Sequence, residues 1–443
     1  MGEGVVPRRW QWLSGGMAVV ILLAFVKSLV HVLTASNYGY FRDELYYMAA
    51  GRHLAFGYVD FPPFVALVAA FTRVLLGESL LALHFFPALT GAAVVVLTGL
   101  MARELGGGRF AQGLAALAVL VAPNFLVFGT WLSMDAFDQL WWVLASYVLL
   151  LILKRDRPRL WLLFGLVVGL GLLTKVTVLF FGAAVLFALL VTPARGQLRT
   201  RWPWLGGVIA FAFLAPYALW NASNGWPTLE FWGEYGSKVA PTSPAGFVVQ
   251  QVLTMNPGTL PVWCAGLYYY LFSSEGKPLR PLGWVYVVLF ALFLIQDTTF
   301  YFLAPAYPAL FAAGALEIER FVRRRRGWGR AGLAYACVLA LSGVVVGPLT
   351  VVPALPVGTL ASVTGAAGGD AGVKQETRQV GQLPQNFADR FGWEGMVETI
   401  AGAYRALPRE ERSEACILTE LRRGRGRGLL RCEARPAGGH KRP

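Results

Sequence analysis

Apolar runs about 20 residues long, the length of helix that crosses a bilayer core, recur along this chain from about residue 12 to 352. Inside hydrocarbon every backbone N–H and C=O needs an internal partner, so repeated runs of this length predict a bundle of α-helices. The composition agrees. Of 443 residues, 56% are hydrophobic and 14% charged, and the mean hydropathy is +0.54. Soluble globular chains carry about 25% charged residues. Spans are predicted at 11–33, 80–101, 110–128, 137–153, 160–173, 176–192, 203–220, 251–272, 283–297, 299–316 and 331–352. The expected fold class is therefore an all-α polytopic membrane protein with about eleven transmembrane helices. The first run is long and no clear small-residue cleavage site follows it, so it reads as a span and not as a removable signal peptide.

A net charge of +14 would suit a nucleic-acid partner, but its placement argues against one. Basic residues cluster in alternate connections: Arg8 and Arg9, Arg103 and Arg109, 154–159, 195–201, Lys277 and Arg280, and 320–330. The connections between them hold only Arg42, Arg52, Arg73, Lys175 and Lys238. Basic loops stay on the cytoplasmic side. The N-terminus is thus expected inside, and everything after Val352 outside the cytoplasmic membrane. Two ambiguous stretches follow from the same rule. Residues 61–76 are apolar but short, open with Pro62-Pro63 and contain Arg73, so they are predicted as a helix lying at the outer interface. Residues 160–191 are predicted to turn back at Thr174-Lys175, which keeps the flanking basic clusters on one side.

These boundaries divide the chain into a transmembrane domain over 1–352, a Gly/Ala/Pro-rich flexible linker over 353–373, and an amphipathic extracytoplasmic domain over 374–420. A basic tail follows over 421–443, with seven Arg and one Lys in 23 residues. The tail is expected to be disordered.

Charged side chains beside a membrane are costly unless they stay wet or serve a purpose. They collect in two outer loops, "YFRDELYYMAAGRHLAFGYVDFPPF" at 40–64 and "APNFLVFGTWLSMDAFDQLWW" at 122–142. Each has a structural reading beside a functional one. Asp43 and Glu44 could pair with Arg42 and Arg52 on a solvated loop. Asp135, after Ser133, could cap the next helix, and Lys175 could snorkel to the surface. His53 and His84 read as structural, because no second His or Cys stands at metal-ligand spacing.

Five segments in order resemble a known family: "FRDELYYMAAGRHLAFGYVDFPPFVAL", "GTWLSMDAFDQLWW", "GLGLLTK", "FYFLAPAYPALFAAGA" and "QLPQNFADRFGWEGMVETIAGAYRALPREER". They look like the lipid-linked-sugar transferases of the GT-C fold. The resemblance is to glycosyltransferase family 39, the dolichyl-phosphate-mannose–protein mannosyltransferase-like proteins, with relatives that move aminoarabinose. It implies transfer of a sugar from a polyprenyl-phosphate donor to a protein, lipid or glycan acceptor, with inversion. It also implies Asp43 as catalytic carboxylate, Glu44 as its partner, Asp135 as the second-loop acid and Lys175 as the cation of the Leu-Thr-Lys position. The chemistry fits, since a carboxylate can deprotonate the acceptor while Lys175, Arg42 or Arg52 neutralises the departing phosphate. This scheme requires no metal or other cofactor. The rival reading, a transporter or flippase for a lipid-linked substrate, should show repeat symmetry and broken helices at mid-membrane. The sequence has no internal repeats.

The chain departs from its relatives after residue 420. Their outer domains continue with an Asn-Tyr-Gly-Glu-Ala-Gly-Ala type of segment. Residues 420–427 can be encoded so that the next reading frame spells that segment. The outer domain is therefore expected to be truncated by a frameshift; the alternative is a basic disordered tail that contacts anionic headgroups or glycan.

Overall fold

The computed structural model describes residues 15–235, 243–296, 298–325, 327–366 and 383–412. Among these residues there is no strand. The chain enters through α1 (Gly16–Thr34), and the first long connection carries α2 (Arg42–Arg52) and α3 (Phe64–Leu76). It returns through α4 (Leu80–Glu104), α5 (Arg109–Val121) and the single turn α6 (Pro123–Val127), then α7 (Met134–Arg155). Next come α8 (Leu160–Thr174), α9 (Val178–Leu190), α10 (Arg201–Ser223), α11 (Pro227–Tyr235), α12 (Pro244–Thr254) and α13 (Leu260–Leu271). The bundle closes with α14 (Arg280–Ile295), α15 (Tyr307–Arg324) and α16 (Gly329–Thr350). Smaller helices follow: α17 (Val357–Ala366), α18 (Gln385–Ala388) and α19 (Trp393–Ala406).

Seven helices among the described residues are long and apolar enough to cross a membrane. They are α1, α4, α7, α10 and α16, with α14 and α15 each extended by a short 3-10 lead-in. α5, α8 and α9 have 13, 15 and 13 residues, short of the 20 or so that a perpendicular span takes. Three predicted spans are also built differently, each for a local backbone reason. Pro123 holds Ala122 extended (ψ 120°) and stops α5, because the residue before a proline is driven out of helical conformation. Asn256 takes φ 68° ahead of Pro257 and divides 251–272 into α12 and α13. The stretch predicted at 299–316 opens as a 3-10 turn, Phe300–Ala306, which contains Pro305.

The predicted reversal at Thr174-Lys175 is present. The rings of Phe164 and Phe181 meet at a tilt with centroids 6.2 Å apart, whereas one continuous helix would separate them by about 25 Å. Trp161 Nε1 donates to Gln197 Oε1 at 3.2 Å and Gln197 Nε2 to Asp156 Oδ1 at 3.4 Å, so the basic clusters on both sides share one end of the bundle. At that end Arg155 pairs with Glu104, Glu319 accepts from the Gly108 N–H, and Arg320 pairs with Glu275. The first two polar loops, the Lys175 turn and the segment after α16 meet at the other end.

α3 buries Val65, Ala66, Ala69 and Thr72 and exposes Leu67, Phe71, Val74 and Leu75. Both faces are apolar, which suits a helix in contact with lipid. The 353–373 linker, expected to be flexible, forms α17 over part of its length, because Leu360 is buried beside Tyr38 and Phe387. Residues 367–382 and 413–443, which include the predicted basic tail, lie outside the described residues.

Without a hydrophobic drive between helices in lipid, small residues that let backbones approach become the packing device. A methyl group on Gly165 would overlap the Gly206 carbonyl where α8 meets α10, and one on Gly314 would overlap the Val262 carbonyl where α15 meets α13. Gly207 faces open space. Gly165→Ala and Gly314→Ala are therefore expected to cost about 1–3 kcal/mol each through overpacking. Gly207→Ala should be neutral or stabilise by up to about 1 kcal/mol. Thermal unfolding of the purified variants in detergent measures the difference.

Candidate active site

The polar end of the bundle is organised around α2. Phe41 precedes the helix in extended conformation, and Asp43 and Glu44 occupy its first turn, where negative charge is favoured by the helix dipole. Adjacent residues on a helix point about 100° apart, and here the pair divides. Glu44 turns inward and is fully buried. Its Oε2 accepts from the Phe41 N–H at 2.8 Å, closing the helix start. Its Oε1 accepts from the Leu132 N–H at 2.8 Å and lies 2.9 Å from His84 Nε2. One carboxylate thus ties α2 to the second loop and to α4.

The segment around α18 closes the same wall. Arg390 is buried, donates to Thr130 Oγ1 at 2.7 Å and lies 5.2 Å from the Trp131 ring centroid. Trp131 in turn stacks on Phe41 at 4.4 Å. Burial pushes the Arg390 guanidinium down to about 10, with the Glu44 charge opposing that shift. Gly39 gives the Arg390 carbonyl room that any side chain would fill. Arg42 reaches the same segment, with its Nη1 3.1 Å from Asp389 Oδ2 and its backbone N–H on the Asp389 carbonyl at 3.1 Å.

Asp43 turns the other way. Its side chain is 38% exposed, and Arg42 Nε donates to its Oδ1 at 2.9 Å. Tyr47, one turn on, is buried. Burial raises its phenol well above the ordinary value, and Asp43, Asp60 and Asp135 add to the shift. Those three carboxylates therefore share one neighbourhood. Asp60 also accepts from Tyr46 Oη at 2.9 Å, and burial and that carboxylate push the Tyr46 phenol up.

On α7 the cap is Ser133, whose Oγ accepts from the Ala136 N–H at 3.3 Å. Asp135 is therefore not occupied with capping. It pairs with Lys175, Nζ to Oδ1, at 2.5 Å. Lys175 is 8% exposed, and its ammonium lies 4.1 Å from the Phe302 ring centroid and 5.3 Å from that of Tyr301. A cation held over two rings beside a carboxylate is desolvated and fixed. Asp138, one turn further into α7, is buried, with an Oδ1 that has no hydrogen-bond partner among the described residues.

The structure thus brings together Asp43, Arg42, Asp135 and Lys175 as separate parts of one polar end. It sets two expected residues apart. Glu44, expected as the partner of Asp43, is enclosed, with both oxygens engaged inside the protein. Arg52 lies nine residues beyond Asp43, about 13 Å along α2 and on its opposite face. There it pairs with Glu78, Nη2 to both carboxylate oxygens, at 2.8 and 2.9 Å. The sequence reading gave no role to Asp60, Asp138, Tyr47 or Arg390, although the first two stand among the acids of the outer loops. For Asp138 a signal existed, because three residues after Asp135 is the same helix face. For Arg390, more than 250 residues from its partners, there was none. Among the described residues no group of three or more His, Cys, Asp or Glu is placed to hold a metal ion.

The model of the dolichyl-phosphate-mannose-protein mannosyltransferase family matches residues 60–220, a stretch that contains Asp60, Asp135 and Lys175 but not Asp43. The lipid A galacturonosyltransferase RgtD of Rhizobium johnstonii is 26% identical over 216 residues. That match covers 48% of this chain and 45% of the relative, under half the length of each. Among solved structures, ArnT from Cupriavidus metallidurans bound to undecaprenyl phosphate superposes with a TM-score of 0.61 at 20% identity, over 78% of this chain and 67% of ArnT. The Archaeoglobus fulgidus oligosaccharyltransferase AglB, in complex with an inhibitory peptide and a dolichol-phosphate, gives 0.56 at 15% identity, over 92% of this chain and 60% of AglB. The chain therefore has the fold of ArnT, with helices long and apolar enough for a multi-pass membrane protein, and over residues 60–220 it is similar to the dolichyl-phosphate-mannose-protein mannosyltransferase family.

Proposed function

We propose that this protein transfers a sugar from a polyprenyl-phosphate donor to a protein, lipid or glycan acceptor at the outer face of the cytoplasmic membrane. The observation that carries the reading is the Lys175–Asp135 pair over Tyr301 and Phe302, at the same end of the bundle as the half-exposed Asp43. Asp43 takes the proton of the acceptor hydroxyl. The acceptor oxygen attacks the anomeric carbon from the side opposite the phosphate, and the bond from that carbon to the phosphate oxygen breaks, leaving its electron pair on the phosphate. The configuration at the sugar inverts. The donor is a phosphodiester and the leaving group a phosphomonoester, so negative charge grows as the bond breaks. A fixed cation is worth most where charge develops. Lys175 takes that role, with Arg42 beside Asp43 as the second cation. Asp135 keeps Lys175 compensated until phosphate replaces it. Glu44 contributes by fixing the rotation of α2, and Arg52 has no part in the reaction.

The fold match to sugar transferases favours transfer over the rival reading of a transporter. The charge distribution supports an inside N-terminus and an outside polar end.

Asp43→Asn is expected to lower turnover about 10²–10⁴-fold with thermal stability unchanged, because the side chain is half exposed and only its charge is lost. Glu44→Gln should instead lower stability by about 3 kcal/mol, since its amide nitrogen must face one of three buried donors. Assays with a polyprenyl-phosphate sugar, run beside thermal unfolding, separate the two; normal turnover in Asp43→Asn would end the assignment. Lys175→Gln should weaken the donor more than the acceptor, raising the donor KM at least about tenfold, the weight of one charge-assisted hydrogen bond.

Orientation has its own test. A membrane-impermeant thiol reagent added to intact cells is expected to label His53→Cys and not Arg157→Cys. Labelling at Arg157→Cys would reverse the membrane sidedness.

A further inference from the structure

The basic end of the bundle holds a cavity that the transfer reaction does not use. It has a volume of about 460 Å³ and is lined by Leu100, Arg103, Glu104, Gly106, Tyr147, Lys154 and Arg155. It lies between the last turns of α4 and α7, roofed by the left-handed turn at Gly106 (φ 98°). Lys154 and Arg155 stand 19 and 20 residues after Asp135 on one helix, so about 30 Å of α7 separates the cavity from the candidate active site.

Three cations face this cavity against one carboxylate. Glu104 takes both nitrogens of the Arg155 fork, Nε at 3.0 Å and Nη2 at 2.5 Å. Lys154 donates to the Glu104 main-chain carbonyl and lies 3.7 Å from its Oε1. Glu104 thereby arranges two cations while neutralising one. Arg103 has no ion pair among the described residues, and the Tyr147 hydroxyl has no hydrogen-bond partner among them. Leu100, one turn deeper on α4, supplies an apolar wall on the membrane side. The arrangement offers an unspent guanidinium, an ammonium and a phenol to one anion at the depth where a helix end meets lipid headgroups. The positive-inside rule accounts for basic residues at this end. It does not account for their convergence on a concave site between two helices.

We propose that this cavity binds the phosphate of an anionic phospholipid from the leaflet on the basic side. Basic pockets between membrane helices on that side select such headgroups. Arg103 and Lys154 contact the phosphate, Tyr147 donates a hydrogen bond to it, and the first acyl carbons lie along Leu100.

The test uses the full chain in detergent, titrated with short-chain phosphatidylglycerol or phosphatidylcholine and read by native mass spectrometry. Phosphatidylglycerol should be retained in preference to phosphatidylcholine. Each cation near an anionic headgroup contributes about fivefold, so Arg103→Gln with Lys154→Gln should weaken phosphatidylglycerol roughly 25-fold. The control is Arg157→Gln with Arg195→Gln, which removes equal charge from exposed sites at the same end; it should change binding by less than about threefold. Equal losses in both double variants would mean diffuse surface attraction and overturn the site, as would equal retention of the two lipids. Inorganic phosphate displacing the lipid at the lipid's own concentration would assign the cavity to a soluble anion and overturn the lipid reading. If the double variant does not fold, Arg103→Gln alone, expected to lose about fivefold, decides by the same comparison.

Discussion

The polar end of this protein hangs on one buried carboxylate. α2 has eleven residues, too few to hold a helix in water by themselves, and its position must come from tertiary contacts. Glu44 supplies them from inside, accepting at the start of its own helix, from the second loop and from His84 on α4. A carboxylate removed from water regains its lost solvation only when both oxygens are engaged by well-placed donors. Here each donor comes from a different segment. Displacing any one of them leaves a buried charge short of a partner, so the three segments hold one register. With Glu44 turned inward, its neighbour Asp43 lies on a different face of α2 and stays partly exposed.

The paired acids of the first loop are therefore different parts. The family resemblance ranks Asp43 above Glu44, and the direction of burial gives that ranking a physical basis. A similar division recurs on α7, where Ser133 takes the capping role and leaves Asp135 to meet Lys175. Lys175 is held in the extended turn between α8 and α9, against the rings of Tyr301 and Phe302. An ammonium fixed in this way costs little further ordering when an anion arrives, which is the condition for electrostatic stabilisation without reorganisation.

The reversal at Lys175 was legible because charge and length are one-dimensional signals. The basic clusters fix the parity of the loops, and the reversal at Lys175 follows from them with no knowledge of packing. Breaks in the helices were less legible. Pro123 and Pro257 are visible in the sequence, but the left-handed backbone at Asn256 depends on its side chain accepting from Gly258 and donating to Ser342 of α16. The Arg390 contact with Thr130 and Trp131 leaves no periodicity to read. Lys27 and His31 were overlooked inside the first apolar run, although four residues apart is one helix face. Lys27 donates to the Phe125 carbonyl at 2.7 Å, and His31 packs against Gly129. Both brace the second loop, which Glu44 also holds at Leu132. Hydropathy averaging hides polar residues of this kind, since one lysine barely moves the mean of a 20-residue window while its buried ammonium must still find a partner.

α7 joins these themes. It starts at the polar end with Asp135 and ends in the basic cavity with Lys154 and Arg155, and the length between them matches the roughly 30 Å of a hydrocarbon core. A helix anchored at both ends by ionic contacts cannot slide or turn without breaking one of them. Asp135 meets Lys175 from the adjoining helix turn, while Arg155 and Lys154 meet Glu104 of α4. The same α4 carries His84, which reaches Glu44. α4 and α7 thus form a frame braced at each end by carboxylates, and the two loops that present Asp43 and Asp135 are mounted on it. The basic residues at one end of α7 and the Asp135–Lys175 pair at the other mark the two ends of that frame. The lipid-borne donor proposed above would need a frame of fixed depth, because its phosphate can rise or sink only as far as its own headgroup layer allows.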